Sequence, residues 1–263
     1  RDPEELVGDL DENISILRAI RHENKLRTGH LRGNKFRLRM GDLEVDGEEA
    51  LKRAQAIVER IESGGMPNYY GLQRFGRRGE TLAMGWGLLR REKAVMGRVR
   101  RDRFLKRLAL SAAQSDVFNR VLCRRIEEGL WGVVLEGDVL QKVDSGGIFV
   151  VGEDEVEESQ RRLDEHEVVI TGPMPGPKMR LPEGASGEYE AGILEEAGAT
   201  GELFSGWGKI LTGTRRALAV YPEFHGLKVV DEDKEALELE FSLPSGSYAT
   251  VLMREISKKA FCT

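Results

Sequence analysis

Between Met66 and Gly76 the sequence Met-Pro-Asn-Tyr-Tyr-Gly-Leu-Gln-Arg-Phe-Gly gathers three aromatic rings, two side-chain amides and a guanidinium into eleven residues. Pro67, Gly71 and Gly76 break any helical period, so the segment reads as a loop. Aromatic faces and an arginine plane beside amide donors are what a pocket for an unstacked nucleobase uses. The same residues could instead fill a buried corner, with Tyr69, Tyr70 and Phe75 as plain packing. Other chemistries find little support. Cys123 and Cys262 give neither a disulfide framework nor metal spacing, and His22, His30, His166 and His225 are scattered without a ligand motif. No Gly-rich phosphate loop with a lysine follows a strand, which argues against a nucleotide-binding enzyme.

Charge points the same way as the loop. The net charge of −5 argues by itself against a nucleic-acid partner. Locally, however, eight Lys/Arg face one acid between Ser15 and Met40, and twelve face three between Gly71 and Arg107. The acids collect in Asp2–Glu12, Asp42–Glu49, Glu153–Glu167 and Asp231–Glu240. Such segregation lets an acidic protein present a basic groove, although solvated helix and strand faces would show the same counts.

The chain has 263 residues, 40% hydrophobic and 32% charged, enough for one large domain or two ordinary ones. No window nears the roughly 18 apolar residues of a membrane span, and no signal-peptide pattern opens the chain. Two cysteines fit a reducing, cytoplasmic setting. The first residue is Arg1 rather than methionine, so further sequence is expected upstream.

The elements that must position the loop follow from pattern. Asp2–Asp11 reads as a connector and Ile14–Arg21 as a strand. Asn34–Met40 alternates Phe36, Leu38 and Met40 with Lys35, Arg37 and Arg39, a half-buried strand with a basic outer side. Glu48–Ile61 is an amphipathic helix that Ser63-Gly64-Gly65 ends. Glu80–Leu89 reads as a short helix, Glu92–Arg101 as a basic connector, and Arg103–Glu128 as the strongest helix, with a bend expected near Ser111 and Ser115. Two strands flank Asp144-Ser145-Gly146-Gly147. A helix over Asp154–Asp164, a strand over Val168–Thr171, a rigid loop over Pro173–Pro177 and a helix over Ser186–Ala197 come next. Strands at Ala217–Tyr221, Leu227–Val230 and Leu237–Leu243 precede a helix from Tyr248 to about Lys258, capped by Pro244-Ser245-Gly246-Ser247. The architecture is α+β, and the centre reads as an insertion into a domain built from both ends.

The ordered motifs resemble the tRNA pseudouridine synthase D (TruD) family. They are Arg21-His22 with Lys25-Leu26-Arg27, Gly29-His30-Leu31-Arg32-Gly33-Asn34-Lys35-Phe36, and Pro67–Gly76. Ser111-Ala112-Ala113 with Phe118-Asn119, Gly137-Asp138, Arg215-Arg216-Ala217 with Tyr221-Pro222, and Leu243–Thr250 with Arg254-Glu255 complete the series. The resemblance implies an isomerase acting on a uridine in the D arm of tRNA (uridine-13), with no metal or organic cofactor. It implies a pseudouridine-synthase fold: a mixed or antiparallel sheet flanked by helices and interrupted by a family-specific α+β domain. Residues 1–94 and 221–263 would form the catalytic domain and 95–220 the insert. tRNA would be the partner, with no membrane and no obligatory protein partner.

The family's nucleophilic aspartate lies in a Gly-x-Lys-Asp motif that is absent here. By its place in the family it belongs upstream of Arg1, so the chain as it stands is expected to be inactive. Asp116, Asp138, Asp2, Asp9 and Asp11 are poor substitutes. By the same resemblance Asn68 would hydrogen-bond near that aspartate and Arg254 would pair with it. Tyr70, where the family has phenylalanine, would stack on the base. Phe36, with Asn34, would support the pocket floor. Gln73 and Arg74 would order the loop or touch RNA, Gly246 and Ser247 would offer helix-terminal amides to a phosphate, and Arg21, Lys25, Arg27 and Arg32, with Arg18 and Arg37, would contact phosphates. A non-catalytic RNA-binding protein or RNA chaperone on the same fold is the alternative.

Overall fold

The computed structural model describes residues 2–12, 14–25, 31–99, 101–230 and 236–258. The chain divides into two units, residues 1–32 and 33–263. The first is a hairpin in which strand β1 (Gly8–Asp11) pairs antiparallel with β2 (Ile14–Ile16) after a short turn whose Asp2 carboxylate accepts the Glu4 amide proton. None of its described residues is buried. The strand expected over Ile14–Arg21 therefore stops at Ile16: Leu17 is 89% and Ile20 66% exposed, and an apolar run without a surface to cover gains nothing by staying extended. Asp2–Asp11, expected to be a connector, supplies the partner strand.

The second unit begins with β3 (Gly33–Met40), helix α1 (Gly47–Gly64) and the short β4 (Met66–Pro67). Helices α2 (Glu80–Leu89), α3 (Lys93–Arg98) and α4 (Arg103–Glu127) follow. The run then continues through β5 (Val139–Lys142), β6 (Ile148–Val150), α5 (Val156–Asp164), β7 (Val168–Met174), α6 (Gly184–Glu196) and α7 (Gly201–Ser205). It closes with β8 (Thr214–Ala217), β9 (Ala219–Val220), β10 (Glu223–Val229), β11 (Leu237–Pro244) and α8 (Ala249–Ser257).

Among the described residues of this unit the strands form three antiparallel sheets, ordered β10-β11-β3, β6-β5-β7-β8, and the pair β4-β9. The alternation read in residues 34–40 holds: Phe36, Leu38 and Met40 turn inward and Phe36 stacks on Phe241 at 5.2 Å. Its outer side is not a bare basic strip, because β11 sets acids opposite it. Arg37 and Lys35 both pair with Glu240, and Lys228 on β10 pairs with Glu238. Asp46 starts α1 by accepting the Glu48 and Glu49 amides, and Gly65, at φ 78°, ends it.

Among the described residues three apolar clusters form. The first draws on α1, β3, β10, β11 and α8, the second on α2, α4 and residues 199–211, and the third on α4, β5, β7 and Leu218. Several local expectations change. Residues 93–98 form α3 instead of a plain connector. Helix α4 runs unbroken through Ser111 and Ser115. Strand β7 continues through Pro173 to Met174, where β8 pairs with it, rather than giving way to a loop. Ser247 does not cap α8; the cap residue is Tyr248, without a side-chain hydrogen bond.

Candidate functional site

The loop after β4 is pinned on three sides. The Asn68 amide donates to the Leu218 carbonyl at 2.8 Å and its side-chain Nδ2 to the Ala217 carbonyl at 2.9 Å, which fastens the loop to the junction of β8 and β9. Asn119 on α4 holds the Tyr70 backbone twice: its Oδ1 accepts the Tyr70 amide at 2.9 Å, and its Nδ2 donates to the Tyr70 carbonyl at 3.0 Å. Gln73 reaches the other way and accepts the Thr250 hydroxyl of α8 at 3.0 Å. A Cβ on Gly71 would sit 2.9 Å from the Gln73 side chain and 3.1 Å from Thr250 Oγ1, so glycine permits this docking.

At the centre is the Tyr70 ring. Phe118 and Tyr248 meet it edge-on at 5.6 and 5.9 Å, and its hydroxyl lies 3.6 Å from Met174 Sδ. Phe118 fits there because Gly172 has no side chain; a Cβ would lie 3.0 Å from the Phe118 ring. Two guanidinium groups flank the Tyr70 ring. Arg216 lies over it at 4.1 Å and Arg74 at 5.6 Å.

Arg216 is held by the backbone of two loops. Its Nη2 donates to the Asn68 carbonyl at 3.1 Å, to Asn68 Oδ1 at 2.5 Å and to the Gly246 carbonyl at 3.0 Å, while Nε reaches the Asn68 carbonyl at 3.3 Å. Arg74 donates through Nε to Ser115 Oγ at 3.1 Å and through Nη2 to Ser111 Oγ. Among the described residues neither guanidinium pairs with a carboxylate; the bonds to Ser111, Ser115, Asn68 and Gly246 run through Nε and Nη2, and the Tyr70 phenol also interacts with Arg216. Burial, opposed by the nearby phenols, pulls the Arg216 pKa below the ordinary arginine value, and burial pushes the Tyr248 phenol up.

The structure therefore brings Asn68, Tyr70, Arg74 and Gly246 together, with Gln73 tying the same loop to α8. Asn68 is 6% exposed and its amide is spent on Ala217 and Arg216. Ser247 sits next to Gly246, but its amide donates to the Pro244 carbonyl at 3.2 Å, so that amide is not an open phosphate donor. Arg254 lies over Tyr69 at 5.4 Å, on the neighbouring ring, and pairs with Glu255 at 3.6 Å. Burial and the adjacent Cys123 push the Tyr69 phenol well above its ordinary pKa. Phe36 belongs to the first apolar cluster, against Phe241. Arg21, Lys25 and Arg32 are exposed on the first unit; Arg27 lies outside the described residues.

Sequence reasoning gave no role to Arg216, Tyr248, Asn119, Ser111 or Ser115. The adjacent arginines of β8 were the available signal: successive strand residues face opposite ways, so one of them had to leave the core side. A separate cavity of about 610 Å³, lined by Leu38, Leu43, Ala54, Met253 and Ile256, does not include Tyr70 or either guanidinium.

The family model described as tRNA pseudouridine synthase D (TruD) matches residues 2–102 and 99–256. A tRNA pseudouridine synthase D of Anaeromyxobacter dehalogenans is 40% identical over 248 residues, covering 93% of this chain and 67% of the relative. One of Geobacter sulfurreducens is 34% identical over 316 residues, covering 98% and 75%. A crystal structure from Methanosarcina mazei, described as a candidate tRNA pseudouridine synthase D, superposes with a TM-score of 0.76 at 25% identity, covering 98% of this chain and 76% of that one.

Proposed function

The chain belongs to the tRNA pseudouridine synthase D (TruD) family, and from that premise we propose that the protein isomerises uridine-13 in the D arm of tRNA to pseudouridine. The reaction breaks the N1–C1′ bond, turns the uracil, and joins C5 to C1′ of the same sugar. C5 gives up a proton and N1 gains one, so the net change is an isomerisation. The uridine must first leave its stack, at a cost of about a few kcal/mol.

The observation that carries the reading is the clamped Tyr70 ring, set by Asn119 on its backbone and flanked by Arg216 and Arg74. In this proposal the flipped uracil stacks on Tyr70. Arg216 covers one face at 4.1 Å, which leaves at most one face for the base unless the guanidinium is displaced. Gln73 and Arg74 hold the loop, and the basic residues of the first unit contact phosphates of the tRNA. Asn68 acts on the site through Arg216, and Arg254 steadies Tyr69.

The ionised aspartate of the reaction is proposed to come from a segment outside these 263 residues. The aspartates of the second unit nearest in type are already committed: Asp116 accepts from Trp86 Nε1 and pairs with Arg120, and Asp138 takes Arg125, the Leu135 amide and Ser186. The 263 residues alone would then bind tRNA without converting it. Residues 1–94 and 221–263 are proposed as the catalytic domain and 95–220 as the insert, a division supported by the first apolar cluster, which joins α1 and β3 to β11 and α8. Helix α2, near the proposed boundary, packs with α4 in the second cluster. The work is proposed to take place in the cytoplasm; no helix of the described residues is long and apolar enough to cross a membrane.

The test is to incubate the full-length protein with unmodified tRNA and map pseudouridine by carbodiimide treatment and primer extension. A new stop one nucleotide 3′ of uridine-13 is expected. tRNA binding without any new stop would reject the isomerase and favour the RNA-binding alternative.

A further inference from the structure

A buried or half-buried cation without an anion is costly, and proteins offset it by pairing. Two such cations flank Tyr70. Arg74 and Arg216 each lie within 5.6 Å of the same ring centroid. Each spends Nε and Nη2 on neutral oxygens: Ser115 and Ser111 for Arg74, Asn68 and Gly246 for Arg216. Among the described residues no carboxylate answers either fork: the bonds of Arg74 leave its Nη1 over, and Arg216 meets besides these oxygens only the neutral Tyr70 phenol. The neighbouring β8 arginine shows what a satisfied guanidinium looks like in this protein: Arg215 binds both oxygens of Glu190, at 2.8 and 2.9 Å, and Thr171 besides.

We propose that Arg74 and Arg216 together bind one oxyanion beside Tyr70, through the Nη1 edge of each guanidinium. The hydroxyls of Ser111 and Ser115 and the carbonyls of Asn68 and Gly246 fix both forks in advance, so the anion meets donors that need no reordering. Arg254 is a weaker host, since Glu255 already neutralises it and its guanidinium lies on Tyr69. The inference rests on the proposed reaction for the identity of the anion, which has two sources there: the enzyme's own catalytic carboxylate, or a phosphate of the extruded nucleotide.

Two measurements on Arg216→Gln, Arg216→Lys and Arg74→Gln separate the sources. In the full-length protein, single-turnover pseudouridine formation is followed against pH. If the anion is the carboxylate, losing a guanidinium raises its pKa, and the acid limb moves up by about one pH unit or more. In parallel, tRNA affinity is followed against salt. If the anion is a phosphate, the slope of log affinity on log salt falls by about one per arginine removed, uniformly over tRNA sequences. Arg216→Lys, which keeps charge but not the fork, is expected to recover part of either effect.

A third arm needs no turnover. The melting temperature of the 263-residue chain is expected to rise with inorganic phosphate but not with chloride of equal ionic strength, and the rise is lost in the Gln variants. Unmoved acid limb, unmoved salt slope and no phosphate effect, in folded variants, would overturn the proposal. An inactive wild-type enzyme that still shows the phosphate effect would instead count against the isomerase reading alone.

Discussion

Arg215 and Arg216 are adjacent on one strand and meet opposite fates. Arg215 turns inward, 8% exposed, and is closed off by a two-point ion pair with Glu190, also buried. A second pair, Arg125 with Asp138, lies in the same interior, with Ser186 and the Leu135 amide taking up the remaining carboxylate capacity. Arg216 turns the other way, onto Tyr70, and among the described residues meets carbonyls, an amide oxygen and the Tyr70 phenol but no carboxylate. The interior pairs tie α4, the start of β5, α6 and β8 together, and in each a buried carboxylate neutralises the guanidinium. The Tyr70 side has donors to spare. One strand thus serves architecture on one face and, in the proposed function, recognition on the other.

Breaking the interior pair should have the largest effect on stability. Glu190→Ala leaves the Arg215 charge buried and unpaired, and is expected to cost about 3–5 kcal/mol in denaturant unfolding. Arg216→Ala strands no carboxylate, and its cost should be clearly smaller, about 1–2 kcal/mol. Equal losses would mean that both arginines are structural, and the contrast would fail.

Tyr70→Ala sharpens the same contrast through activity. Removing the stacking face should lower turnover by about 10- to 100-fold on the stacking scale of a single base, while Tyr70→Phe, which keeps the ring and loses the phenol's contacts with Met174 and Arg216, should stay within a few-fold of wild type. A Tyr70→Ala activity loss no greater than the fall in folded fraction would favour the plain-packing reading of the loop.

Asn68→Ala removes one acceptor of Arg216 and the tie to Ala217. It is expected to cost about 1–2 kcal/mol of stability and to weaken the response of the chain to phosphate without abolishing it, since Arg74 keeps its own supports.

The smallest effect concerns alkaline pH. Burial raises the Tyr69, Tyr221 and Tyr248 phenols above the ordinary tyrosine value. The folded state therefore keeps protons that the unfolded chain releases, so their contribution is whole below about pH 10 and is lost as pH rises further. Denaturant midpoints should hold steady to about pH 9 and then fall, less steeply in Tyr69→Phe.

What was legible in the sequence follows from the range of the forces involved. Helices α1, α2 and α4 and strands β3 and β11 carry their own periodic apolar faces, and their observed bounds lie close to those expected. Helix α3 is six residues long and too short for a period to show. Ile14–Arg21 has strand-like residues, yet Leu17 and Ile20 stay exposed, because pattern states a preference and only a partner surface realises it. At the site, Asn68, Tyr70 and Arg74 stood out since they share one loop with unusual chemistry. Arg216 did not, because its acceptors lie 148 and 30 residues away and most are backbone oxygens, which leave no mark on side-chain pattern. The basic side of β3 misled for the opposite reason: the acid that answers Arg37, Glu240, is 203 residues distant.

The most direct test of the account uses the proton that leaves C5. tRNA carrying tritium at C5 of its uridines is incubated with the full-length protein and with its Tyr70→Ala variant, and released tritium is counted. The account predicts release of about one tritium per tRNA by the wild type and a much slower release by the variant. Tight tRNA binding with no tritium released by the wild type would contradict it.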